Sequence, residues 1–113
     1  MSMDLEVWAS QPFELPAQLP EPNRWEQLGD RWSVEGEGWQ VFILIAEDDV
    51  PVEIQAKLPG AKHVAYVTLE PIGADKAGYA LLEQTVRSLA RHSAGVWVDP
   101  NGRPFGPDDG LFW

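Results

Sequence analysis

Two histidines, His63 and His92, are the only conventional general bases of this 113-residue sequence apart from its carboxylates. Neither has a second ligand or a nucleophile at a spacing typical of a metal site or a catalytic pair. We expect one at a strand start and the other at a helix end, where histidine is ordinarily a surface or capping residue. The chain has no cysteine, which excludes a thiolate zinc site and a cysteine nucleophile. These residues predict no catalytic centre.

Two acidic runs, Glu47-Asp48-Asp49 and Asp108-Asp109, are the candidates for a metal site, because calcium and magnesium bind several oxygen ligands at once. Neither run has the alternate spacing of a calcium-binding loop, and such runs are more often solvated turns. The segment Gly36-Glu37-Gly38 would place a carboxylate where a phosphate would bind. We therefore expect no metal, no cofactor and no enzymatic activity.

The uneven distribution of acidic residues is the strongest functional signal. The chain carries eighteen acidic and eight basic residues, a formal net charge of −10. Residues 1–56 contain twelve of the acids and two of the bases, Arg24 and Arg31, whereas residues 57–113 contain six of each. Such a negative field repels phosphate backbones and anionic lipids and attracts basic proteins. We expect a basic protein as the partner, and neither nucleic acid nor a membrane.

The N-terminal residues lack the basic segment of a signal peptide, and Asp4 and Glu6 interrupt their apolar alternation. The longest apolar run, residues 41–46, is far shorter than the ~20 residues of a membrane-spanning helix. Together with the lack of cysteine, these features favour a cytoplasmic protein.

Hydrophobic periodicity predicts five strands and one long helix. Period-2 alternation or short apolar runs predict strands at residues 5–8, 31–35, 39–46, 63–70 and 96–98. The glycines at residues 36 and 38 predict a tight hairpin, and the strand at 39–46, apolar on both faces, is expected at the centre of the sheet. Asp75 is placed to cap a helix whose apolar residues recur at three- and four-residue steps before it ends near His92.

Two connections are less regular. Four prolines between residues 12 and 22 prevent a long helix, so we expect a loop with helical turns, the last from Asn23 to Leu28. Pro51 stands where a short helix could begin. The elements predict an α+β fold, a ferredoxin-like split βαβ sandwich with a mainly antiparallel sheet and the helices on one face. We expect residues 1–113 to form a single domain, with a core of residues 1–103 and a C-terminal tail of residues 104–113.

Six tryptophans in one small domain are a second signal, because indole rings dominate both cores and interfaces. If Leu5 and Val7 face the helices, Trp8 faces the other side of the sheet, and Trp97 alternates with its neighbouring valines in the same way. We expect Trp8 and Trp97 to share the sheet face that the helices leave uncovered. The C-terminal tail, a second copy of the chain or a partner would close that face.

Three segments of the second half, residues 69–73, 79–82 and 93–102, together resemble small bacterial domains with a ferredoxin-like plait. Some of those domains are similar to immunity proteins that are encoded beside polymorphic toxins. The matching residues are structural, so the resemblance implies an inhibitor of a toxin without assigning any residue to a site.

The sequence thus predicts a non-enzymatic acidic binding protein, an immunity or antitoxin-type inhibitor that docks on a basic surface of a partner protein. The expected contact residues are Glu35, Glu37, Glu47, Asp48 and Asp49, with Trp8, Trp39 and Trp97 as aromatic anchors. One alternative is a homo-oligomer, such as a homodimer, that pairs its bare sheet face across a two-fold axis. Another is a small-molecule carrier with a Trp-lined pocket between sheet and helix.

Overall fold

Seven β-strands form one sheet in the computed structural model, which describes residues 2–110 and 112. The strands are β1 (Met3–Ala9), β2 (Glu26–Leu28), β3 (Arg31–Glu35), β4 (Gln40–Ala46), β5 (His63–Glu70), β6 (Gly95–Val98) and β7 (Pro104–Phe105). Two α-helices, α1 (Val52–Lys57) and α2 (Lys76–His92), and a 3₁₀ turn at Pro22–Arg24 complete the described elements. The strand order is β2-β3-β4-β5-β1-β6-β7, and every neighbouring pair is antiparallel. The predicted α+β class and antiparallel sheet are confirmed.

The hairpin and the long helix form where the sequence predicts them. In the β3–β4 turn, the Gly36 N–H donates to the Trp39 carbonyl at 2.8 Å, and Gly38 has a φ of 80°, which favours glycine. The Asp75 side chain accepts hydrogen bonds from the N–H groups of Ala77 and Gly78, which caps α2.

The register of β1 determines which side chains share a face of the sheet. Val7 pairs with Ala65 on β5 and Trp97 on β6, whereas Trp8 pairs with Val64 and Val96. Directly paired residues point to the same side, so Trp97 lies with Val7 and Trp8 lies on the opposite face. The expectation that Trp8 and Trp97 share a face is wrong, because the β1–β6 register pairs Trp97 with Val7.

The α2 face, the side that contains Val7 and Trp97, holds most of the core. Leu82, Val86 and Leu89 of α2 are fully buried in its hydrophobic cluster. The proline-rich connection between β1 and β2 contributes Leu19 and Trp25 to the same cluster. Its irregular path fits the prolines, but the turn expected to run to Leu28 ends at Arg24. Residues 26–28 form β2 instead, which pairs with β3 across a turn where Gly29 has a φ of 65°.

Helix α1 lies on the opposite face. Its buried Ile54 joins Trp8, Val64, Val96 and Val98 in a second cluster. The expectation that both helices cover one face is therefore wrong, because these four side chains form an apolar surface on the other side that α1 covers. Strand β4 lies inside the sheet, between β3 and β5, one position from the middle strand β5.

Strand β7 of the C-terminal tail pairs with β6 at the edge of the sheet, and the tail packs on the α2 face. Phe105 of β7 and Phe112 stack on Trp97 with ring centroids 5.0 and 4.3 Å away. Arg87 of α2 holds this segment: its guanidinium donates to the carbonyls of Pro107, Asp109 and Gly110 at 2.8–2.9 Å. The tail thus covers Trp97 on the α2 face. Leu111 and Trp113 of the tail lie outside the described residues.

Replacing Arg87 by Lys should lower the free energy of unfolding by about 1–3 kcal/mol, because an ammonium cannot reproduce the guanidinium fork to three carbonyls. The Arg87 side chain is only 17% exposed. Arg91→Lys is the control, since Arg91 is 53% exposed and makes one surface ion pair, with Asp108. Urea unfolding measures both. Equal effects of the two substitutions would contradict the proposed role of Arg87.

Candidate docking face

The sheet carries an uncovered surface on the side opposite α2, which we call the open face. It consists of three rows of cross-strand neighbours. Helix α1 packs on the next row, that of Trp8 and Val64, and its cluster borders the third row at Tyr66 and Val98. The rows follow directly from the strand registers. From β2 to β1 they are Glu35-Gln40-Glu70, Glu26-Ser33-Phe42-Thr68-Asp4 and Leu28-Arg31-Leu44-Tyr66-Glu6; the last continues through Val98 and Pro104.

The centre of the open face is an apolar strip. Phe42, Leu44 and Tyr66 lie on neighbouring positions of β4 and β5 and are half-buried. Leu28 of β2 lies in the same row beyond Arg31 and is 62% exposed. Thr68 is buried beside the strip, and its hydroxyl donates to Asp4 Oδ1 at 2.8 Å. The strip offers apolar contact area to another molecule.

Carboxylates surround this strip. Asp4, Glu6, Glu26, Glu35 and Glu70 belong to the three rows and lie toward their ends. A sixth, Asp48, accepts a hydrogen bond from the Tyr66 hydroxyl. Arg31 is the single basic residue of the three rows, and its Cζ lies 4.1 Å from the centroid of the Phe42 ring. The open face is therefore strongly negative around an apolar centre.

Tyr66 reports the electrostatics of this face. Its pKa is raised from 10.0 to about 12, first by its hydrogen bond to Asp48, then by burial, then by the negative charges of Asp48 and Glu6. A phenolate at this position would lose the donated hydrogen bond and would face two carboxylates. The hydroxyl therefore stays protonated and holds Asp48 against the strip.

The predicted acidic residues are not brought together. Glu35 belongs to the open face and Glu37 is exposed in the β3–β4 turn, whereas Glu47, Asp48 and Asp49 follow the other end of β4. The seven residues of β4 separate the two groups by about 20 Å. Only Asp48 of the second group reaches the face, through Tyr66.

Four carboxylates of the face were missed by the sequence analysis: Asp4, Glu6, Glu26 and Glu70. The alternation of β1 contained a signal for two of them, because Asp4 and Glu6 lie on the same side as Trp8. The other two could not be assigned without knowing which strands pair.

The three predicted aromatic anchors are buried. Trp8, Trp39 and Trp97 are 2%, 8% and 1% exposed. Each ring packs inside the chain: the Trp8 indole N–H donates to Glu6 Oε1 at 2.8 Å, and the Trp97 indole N–H donates to the Asp109 carbonyl at 3.0 Å. Trp39 packs against Gly36, where a Cβ atom would come within 2.1 Å of the ring. An anchor role for these rings loses its physical basis, and Phe42, Leu44 and Tyr66 are the side chains available instead.

A shallow concavity of about 560 Å³ lies at the hairpin end of the open face, lined by Glu35, Trp39, Gln40 and Glu70 among others. Gln40 Nε2 donates to Glu70 Oε2 at 3.4 Å between the two glutamates. Across residues 2–110 and 112, no group of three or more histidine or carboxylate side chains is arranged to hold a metal ion. Within the same residues, no helix has the length and apolar character needed to cross a membrane.

Comparisons with protein-family models, curated proteins and solved structures give no match for this chain. The function is therefore argued from the open face itself.

Replacing Asp48 by Asn should lower the Tyr66 pKa toward 10, because the substitution removes a charge that opposes the phenolate and weakens the hydrogen bond that favours the phenol. In the wild type, the stabilisation from this hydrogen bond is fully present below pH 10 and is lost as the pH rises from 10 through about 12. Ultraviolet titration of tyrosinate formation measures the shift. Tyr79, the other tyrosine of the chain, contributes to the same signal. Asp49→Asn is the neighbouring control, and an equal shift in both variants would contradict the assignment.

Proposed function

We propose that this protein is a non-enzymatic binding protein that docks its open face on a basic surface of a partner protein. The observation that carries the proposal is the arrangement of six carboxylates around the half-buried apolar strip of Phe42, Leu44 and Tyr66. An apolar centre with a charged rim is the composition of a specific protein interface. Complementary charge at the rim raises the association rate and disfavours wrong partners.

We further propose that the partner is a toxin and that binding inhibits it, as an immunity or antitoxin-type protein does. The resemblance of residues 69–73, 79–82 and 93–102 to domains similar to immunity proteins supports this part. Charge supports it too: enzymes that act on nucleic acids carry basic surfaces, and a dense group of carboxylates can occupy such a surface in place of phosphates. The same carboxylates disfavour direct contact of this chain with nucleic acid or anionic lipid.

For the fold, we propose a ferredoxin-like plait at the centre of the sheet. The order and directions of β4, β5, β1 and β6 are those of a split βαβ unit, with α2 as the connection between β5 and β6. The proline-rich segment and the β2–β3 hairpin then replace the first helix of that plait.

The two alternative functions have less support. Pairing two open faces across a two-fold axis would bring carboxylates of both copies together, which opposes a homodimer through this face. For a small-molecule carrier, the predicted pocket between sheet and helix is filled. Trp39 packs against Gly78 of α2, and Trp97 packs against Phe105 and Phe112.

Capture from a native lysate with matched variants tests the proposal. The face variant carries Asp4→Asn, Glu26→Gln and Glu35→Gln; the control carries Glu37→Gln, Glu47→Gln and Asp49→Asn, so both lose three negative charges. The wild type and the control should retain a basic protein, and the face variant should bind it about tenfold more weakly at physiological salt, where the Debye length is about 8 Å.

The captured protein should also be inhibited by the wild-type chain, which growth rescue on co-expression measures. Equal binding by the face and control variants would overturn the assignment of the open face. Binding without inhibition would overturn the inhibitor part of the proposal alone.

A further inference from the structure

The open face is bounded on one side by helix α1. Helix α1 and the residues around it cover the Trp8 and Val64 row, and so form a wall along one side of the three rows. On that side, Asp48 contacts the Tyr66 hydroxyl at the boundary between wall and floor. The floor is the apolar strip, and carboxylates lie at both ends of it.

The dimensions of the open face fit a helix. Neighbouring rows are two residues apart along a strand, so the three rows extend about 13 Å along the strands. Four strand spacings separate β2 from β1, about 19 Å across the sheet. An α-helix is about 10–12 Å in diameter and rises 1.5 Å per residue, so three to four turns would cover the floor. The opposite side of the sheet contains such a packing already, since α2 contacts β4, β5, β1 and β6.

The chain itself places one cationic group on this floor. The Arg31 guanidinium lies over the Phe42 ring, at the edge of the apolar strip. It covers part of the ring and is the only positive charge in rows that contain five carboxylates. A cation–π contact of this kind shows how a basic side chain of another molecule would contact the strip.

From the dimensions, the charge and the position of Arg31, we infer that the occupant of the open face is a basic amphipathic α-helix of the partner protein. Its apolar side contacts Phe42, Leu44 and Tyr66, and its lysines and arginines reach the surrounding carboxylates. Arg31 is an intramolecular competitor for the Phe42 ring and weakens this binding. The inference rests on the proposed function, because it names the kind of partner that the same face accepts.

Two synthetic peptides test the inference with the full chain. The first is an 18-residue basic peptide with leucines at helical i, i+3, i+4, i+7 spacing and lysine and arginine elsewhere; the second has the same composition with the leucines scrambled. Fluorescence anisotropy at 0.15 M salt should give an affinity about tenfold higher for the amphipathic peptide. Phe42→Ala should remove most of that difference, whereas Ile45→Ala, at an exposed position on the α2 face, should not.

Arg31→Gln tests the competition of Arg31 for the Phe42 ring directly, because the substitution changes one exposed side chain. It should raise the affinity for the amphipathic peptide about two- to fivefold, more than Lys76→Gln, which makes the same change of charge on α2. Equal affinities for the two peptides, or an Arg31→Gln effect no larger than that of Lys76→Gln, would overturn the inference. If either result is found while lysate capture still depends on the open face, the proposed function stands and only the inference that the occupant is a helix is rejected.

Discussion

The pairing of β1 with β5 on one side and with β6 on the other is the constraint on which the rest of the structure depends. Because successive residues of a strand point to opposite faces, this one strand supplies Leu5 and Val7 to the α2 face and Trp8 to the other. A shift of one residue in its register would exchange the two faces and bury Asp4 and Glu6 under α2. The core, the position of α1 and the acidic end of the open face all follow from the register observed.

The charge pattern of the open face is consistent with a stable sheet. In the two rows that contain two carboxylates, uncharged residues separate them: Gln40 stands between Glu35 and Glu70, and three residues stand between Glu26 and Asp4. Like charges directly opposite on neighbouring strands would destabilise the pairing. The arrangement thus concentrates negative potential on one face while avoiding the closest repulsive contacts.

The fold was predictable where a local signal was strong. The bounds of β3 and β5, the glycine-containing hairpin and the Asp75 cap all follow from residues close together in sequence. The side of the sheet on which α1 packs was not predictable, because it depends on the apolar row that Trp8, Val64 and Val96 form only after β1, β5 and β6 have paired. The short strands β2 and β7 have too few residues for a periodic pattern to identify them.

The sequence predicted that the candidate site is acidic but not which residues form it. Counting charges located the acidity in the first half of the chain, and Glu35 and Asp48 are among the residues involved. Grouping acids by sequence proximity failed, because the hairpin and the 47–49 run lie at opposite ends of β4. The tryptophans were misassigned for a related reason: a surplus of indole rings does not distinguish core from interface, and here the described rings fill the core or lie partly buried against it.

The two outermost strands also restrict how this sheet can associate with other chains. β2 is three residues long and β7 two, and Pro104 of β7 has no backbone N–H to offer. A foreign strand therefore finds little backbone to hydrogen-bond at either margin, which limits fibre-like lateral growth. A domain built in this way can present an apolar strip to a partner with little risk of aggregating strand by strand.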